Sequence, residues 1–154
     1  MTNVEDLVPF LRYVLKDIDS EDYEYSDDEL VKYIRMAVQI VEAGWDMGYA
    51  IHVEEFSEET IYYIEPEPPV WRQMLYVLKT AMMIKSFDET FLYQTPLLKI
   101  TKTSKIEDIA YLQQMYDDIE YEHRFTAVGE VWGTWDDFLT RISRIRDKVS
   151  EART

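Results

Sequence analysis

Between Val70 and Ile84 the chain carries two apolar stripes at helical spacing: Trp71, Leu75, Leu78 and Met82 on one, Val70, Met74, Val77, Ala81 and Ile84 on the other. A helix that is apolar on two sides has to be covered on both, so this segment predicts the buried centre of the domain. The remaining elements are its cover. Asp6 is placed to cap a first helix bearing Leu7, Phe10, Leu11, Val14 and Ile18, with Pro9 in the first turn, where a missing N–H costs little. Ser26-Asp27-Asp28-Glu29 has the spacing of a capping box. It opens a second helix with Leu30, Ile34, Ala37, Val38 and Val41 on one face, closed by Gly44 and Gly48.

The period then changes. Ala50-Ile51-His52-Val53 and Thr60-Ile61-Tyr62-Tyr63-Ile64 are rich in β-branched and aromatic residues and flank the polar Ser57-Glu58-Glu59, which predicts a β-hairpin. Pro66, Pro68 and Pro69 end it. After Pro96, the stretch Leu97, Leu98, Lys99, Ile100 and Thr101 reads as a short strand or extended arm able to pair with a neighbouring subunit. A second capping box, Ser104 to Glu107, starts a fourth helix with Ile106, Ile109, Leu112, Tyr116 and Ile119; Thr134 to Asp137 starts a fifth with Trp135, Phe138, Leu139, Ile142, Ile145 and Val149. The expected fold is mainly α: a small helical bundle around a central buried helix, with a short β-hairpin and an extended arm. No repeat or flexible linker divides it, so residues 1–154 are expected to form a single domain, with a helical body over 1–130 and a basic, aromatic helix over 131–154.

Composition agrees with one core. The chain has 154 residues, 47% of them apolar, and single cores commonly serve roughly 100–200 residues. The absence of cysteine excludes a disulfide framework, a zinc ribbon and a thiol nucleophile. Apolar runs are a few residues long, against about 20 for a membrane span. Met1 to Asp6 has neither the basic nor the apolar part of a secretory leader, so none is expected.

Charge is strongly polarised. The net charge is −15, and residues 1–67 hold 18 acids against 4 bases. The C-terminal stretch reverses sign, with Arg141, Arg144, Arg146, Lys148 and Arg153 close together. An acidic half repels nucleic-acid phosphates, which disfavours groove-reading DNA recognition and favours solvation or a basic partner.

No catalytic constellation is legible. Asp17 to Asp22 begins like a calcium loop, but Asp22 stands where such a loop needs Gly and Asp28 where it needs a bidentate Glu. His52 and His123 belong to no metal-ligand spacing; His123 near a helix end is placed to complement the dipole as a cation. Asp117-Asp118 and Asp136-Asp137 are adjacent on helices, so each pair diverges instead of converging on a reacting centre. Four scattered Gly make no phosphate loop, and no nucleophile elbow is present. No enzyme activity, cofactor or metal is therefore expected. Tyrosine is in excess, 12 residues, and together with Trp132 and Trp135 beside the basic helix this points to protein–protein contact.

The block Val4-Glu5-Asp6-Leu7-Val8-Pro9-Phe10-Leu11-Arg12 through Tyr25-Ser26-Asp27-Asp28-Glu29-Leu30 and Ile34-Arg35-Met36-Ala37 resembles the head–tail connector, or adaptor, proteins of tailed bacteriophages. The similarity continues through Ile64-Glu65-Pro66, the helix Trp71 to Ala81, Pro96 to Lys102 and Ile106-Glu107-Asp108, so it covers residues 4 to about 124 as element order and scattered residues. It does not extend over Val131 to Thr154. The resemblance implies a structural virion protein of the neck, assembled in the host cytoplasm. It would form a homo-oligomeric, dodecameric ring beneath the portal protein, pass DNA through its channel without sequence-specific binding, and receive the next neck or tail component. On that reading Trp132, Trp135, Arg141, Arg144, Arg146, Lys148 and Arg153 dock the portal, and Leu97 to Thr101 join subunits. The alternative from the acidic composition is a small inhibitor that mimics DNA and binds a basic nuclease or repressor, with the carboxylates of residues 17–29 standing in for phosphates.

Overall fold

The two-striped segment forms the axis around which the other elements pack. The structure is a computed structural model that describes residues 1–44, 48–92, 98–125 and 134–153, with side chains described throughout except at 87–92, 98–108, 124–125 and 146–153. In chain order the elements are β1 (Thr2–Asn3), a 3₁₀ turn (Val4–Leu7), α1 (Val8–Leu15), α2 (Asp27–Ala43), β2 (Ala50–Glu55), β3 (Thr60–Glu65), α3 (Val70–Leu92), α4 (Leu98–Phe125) and α5 (Trp135–Arg153). The molecule is mainly helical with a small antiparallel sheet, as the sequence pattern predicts.

Helix α3 is buried from both sides: Met74, Leu75, Tyr76, Val77, Leu78 and Ala81 are all fully inaccessible. Helix α2 covers it with Leu30, Ile34, Ala37, Val38 and Val41, the predicted face. Leu112, Met115, Tyr116 and Ile119 of α4, and Phe138 and Ile142 of α5, complete the core. Ser26 caps α2 as its position in the capping box predicts, its Oγ accepting the Glu29 amide at 3.2 Å. Beyond Gly44 the chain approaches the sheet at Gly48, whose φ of +78° is a conformation that L side chains rarely adopt.

One polar group is buried with the apolar ones. Arg72 of α3 is fully inaccessible and forms a bidentate pair with Glu42 of α2, Nε and Nη2 each donating at 2.8 Å. The Tyr76 hydroxyl, one turn along α3, donates to the same carboxylate at 2.6 Å. Burial first, then the bond to Glu42, holds that phenol protonated far above its ordinary range.

The hairpin is present, Ala50 opposite Glu65 through Glu55 opposite Thr60. It is extended to three strands in the order β1-β3-β2, because Thr2 and Asn3 pair with Ile64 and Tyr63. Two residues are too short for a period-two signal, which is why the sequence hides β1. Four further expectations are corrected. Asn3 opens the first turn in place of Asp6, its Oδ1 accepting the Glu5 amide at 3.0 Å. Helix α1 stops at Leu15: Lys16 is left-handed at φ 61° and the Asp17 amide bonds back to the Arg12 carbonyl, so Ile18 lies outside the helix and is 68% exposed. Residues Leu98, Lys99, Ile100 and Thr101 form the first turn of α4, not an extended arm; Leu97 lies outside the described residues. Ser104 is consequently internal to α4 and does not start it. The β-branched Ile100 and Thr101 gave a strand signal, but extending an existing helix needs only one residue fixed per new bond, so α4 propagates through them. Among the described residues no helix is long and apolar enough to cross a membrane.

Removing one member of the buried pair leaves the other charge desolvated. Glu42→Leu is therefore expected to cost about 3–5 kcal/mol in denaturant unfolding. Combining it with Arg72→Met should recover part of that loss, giving a double variant more stable than additivity predicts.

Candidate functional site

Helix α5, which carries the predicted docking residues, is fastened to the bundle at its start. Thr134 Oγ1 accepts the Asp137 amide at 3.2 Å. Trp135 stacks on Phe10 of α1, centroids 3.9 Å apart and planes 6° from parallel, and meets Phe138 edge-on at 5.4 Å. Phe138 and Ile142 are fully buried, and the Tyr13 hydroxyl hydrogen-bonds Ser143 Oγ one turn further on. Trp135 is thus half-buried against the body. An indole at the head of an amphipathic helix gains more from the adjacent Phe10 ring than from solvent.

This docking sets the polar side of α5. Arg144 is exposed and Arg141 half-buried. Arg146, Lys148 and Arg153 lie within α5 with only their backbone described, and Trp132 lies outside the described residues.

The acidic half is organised around a buried cation. Arg12 of α1, 5% exposed, donates through Nη1 to Asp17 at 2.7 Å and through Nη2 to Asp27 at 2.6 Å and to the Tyr25 carbonyl at 2.9 Å. Its guanidinium lies 3.6 Å from the Tyr23 ring centroid. Asp17, 7% exposed, also accepts the amides of Glu24 at 2.8 Å and Tyr25 at 3.2 Å. The stretch that begins like a calcium loop is thereby folded onto an arginine, and its first carboxylate is committed. Asp19, Glu21, Asp22, Glu24, Asp27 and Asp28 remain exposed. Above Arg12 an open groove of about 500 Å³ runs between Glu5, Asp6, Pro9, Ile18, Tyr23 and Asp27. The sequence reading missed Arg12. Helical spacing offers no signal for it: Arg12 points away from the Leu7, Leu11 and Val14 face, and its burial comes from the segment that brings Asp17, Tyr25 and Asp27 over it.

A second groove of about 510 Å³ separates α2 from the hairpin, lined among others by Asp28, Lys32, Arg35, Glu58, Glu59 and Tyr62. The Arg35 guanidinium lies 3.8 Å from the Tyr62 ring centroid. From residue 36 to residue 71 the chain has no Lys or Arg and eight acids. Exposed His52 lies 3.7 Å from both Glu54 and Glu65 on one face of the hairpin. Among the described residues no group of three or more His, Asp or Glu is arranged to hold a metal ion.

His123 is a packed, structural ring. Its ring stacks on Trp71, centroids 4.1 Å apart and planes 5° from parallel, and burial pushes its pKa below the ordinary value. No family model, curated protein or solved structure matches the chain.

Two outcomes follow from this geometry. Asp17→Ala removes one of three acceptors from a buried guanidinium and is expected to cost about 2–3 kcal/mol by denaturant unfolding, whereas Glu24→Ala at an exposed side chain stays within about 0.5 kcal/mol. For His123 the folded pKa is depressed, so below about pH 6.5 the unfolded chain takes up a proton that the folded state resists. The contribution is fully present above that pH and declines as pH falls towards the folded value. His123→Phe keeps the stack on Trp71 and should flatten that part of the thermal stability profile.

Proposed function

We propose that the protein is a head–tail connector adaptor: a structural, non-catalytic virion component of a tailed bacteriophage. It assembles in the host cytoplasm as a ring, expected to be dodecameric, beneath the portal in the neck, continues the DNA channel, and receives the next neck or tail component. The observation that carries this reading is the division of the molecule into an acidic half, with six exposed carboxylates between residues 19 and 28, and a basic helix docked by Trp135 with Arg144 outward. The resemblance over residues 4 to about 124 supports it.

The chemistry of the role fits that division. A channel wall that repels phosphate lets DNA pass without sticking, since each neutralised phosphate would add affinity. A helix bearing Arg141, Arg144, Arg146, Lys148 and Arg153, seated on the body through Trp135, Phe138 and Ile142, would offer cationic groups to a partner of opposite charge. On this reading the Leu98–Thr101 turn of α4 joins subunits as a helix, not as an added strand.

Co-sedimentation with a portal ring from the same genome tests the assignment. The protein is expected to pellet with the portal, and the combined Arg141→Glu, Arg144→Glu and Arg146→Glu variant to bind about tenfold or more weakly. Absence of portal binding at any salt, with tight, salt-sensitive binding to a basic nuclease, would replace the adaptor by the DNA mimic.

A further inference from the structure

We propose that the free edge of β2 is a strand-addition site for an extended, Lys- or Arg-bearing segment of a partner protein. The inference stands apart from the adaptor reading, whose portal contact lies on α5.

The sheet places β3 in the middle, so β2 is paired on one side only, along six residues. The ladder says which backbone groups are left over. Phe56 donates its amide to the Glu59 carbonyl at 2.8 Å, continuing the register that sets Glu55 against Thr60. In an antiparallel pair, hydrogen-bonded and non-hydrogen-bonded positions alternate. The pairs at His52 and Glu54 therefore exchange bonds with β3, while Ile51, Val53 and Glu55 turn their N–H and C=O groups outward. Among the described residues no strand pairs with that edge.

Proteins commonly blunt such an edge with Pro, Lys, a bulge or very short length. This one has no Pro or Lys, an unbroken register, and enough length for a partner strand of about 20 Å. Its exposed side chains fit an extended ligand. Val53 is 45% exposed on one face of the strand, and Phe56, at the strand end and 54% exposed, lies on the opposite face with Glu54, so each face offers an apolar contact.

Charge selects the occupant. Glu54, Glu55, Glu58, Glu59 and Glu65 belong to the hairpin, and no Lys or Arg lies within it. A second copy of the same strand would bring the same set of carboxylates alongside, and like charges directly opposite destabilise a strand pair. A strand with basic residues facing Glu54 and apolar residues facing Val53 meets both requirements. Main-chain bonds then supply affinity, and the alternation supplies selectivity.

The test uses the full chain and a peptide of about ten residues alternating Lys and Val, with a Glu/Val peptide as control. Amide hydrogen exchange is expected to slow at Ile51, Val53 and Glu55, and not at His52 or Glu54, when the Lys/Val peptide is added. Val53→Pro removes an outward N–H without removing a bond to β3 and should weaken binding about tenfold or more. Should that variant fail to fold, a Lys/Val peptide N-methylated at every second residue keeps its charge, loses its donors and should bind the unaltered protein equally weakly. Equal binding by Val53→Pro or by the methylated peptide would show charge attraction alone and overturn the proposal. So would unchanged exchange at the three amides, or their protection through self-association before any peptide is added.

Discussion

The bidentate pair between Arg72 and Glu42 is the contact the rest of the molecule depends on. A guanidinium in a helical core requires a matched charge, and Glu42 supplies it with both oxygens at 2.8 Å, accepting from Nε and Nη2. Because the two residues sit on α3 and α2, the pair fixes the rotation of one helix about the other. Tyr76 shares the carboxylate, so two residues one turn apart on α3 grip a single point on α2. Apolar residues alone would pack this interface in several registers; a buried, fully directional pair admits one. That rotation carries the rest of α2 with it, including the Ser26 cap and the acidic turn tied to Arg12.

Arg12 repeats the arrangement on a smaller scale at the other end. Its three acceptors, Asp17, Asp27 and the Tyr25 carbonyl, gather a loop rich in like charges that would otherwise repel itself outwards. Both arginines are buried, and both draw carboxylates from a neighbouring segment. The acidic surface is thus a shaped one, presented at defined positions by two buried cations.

Periodicity made the helical core legible. The stripes on α3, the face of α2 and the hairpin all appear where the residue spacing puts them, because burial of apolar area dominates those elements. What spacing conceals is pairing between segments distant in sequence. Arg72 and Glu42 are thirty residues apart, Trp135 reaches Phe10 across most of the chain, and His123 reaches Trp71; none has a local signature. Trp135 is an example: an aromatic beside basic residues is legible in the sequence, whereas its stacking partner Phe10 is not. The turn at Leu98–Thr101 misled, since local β propensity was overridden by helix propagation. Of the candidate site, the charge division was fully legible in composition, whereas the side of α5 that faces outward required the fold.

The acidic N-terminal half and the Arg-bearing helix seated by Trp135 are the two features on which the proposed adaptor role rests. The most direct test is cryo-electron microscopy of the protein bound to its portal. The account predicts a closed ring of density added at the narrow end of the portal, with α5 against the portal and residues 1–67 towards the lumen. A portal without added ring density, or a ring whose lumen is lined by Arg141 and Arg144, would contradict it.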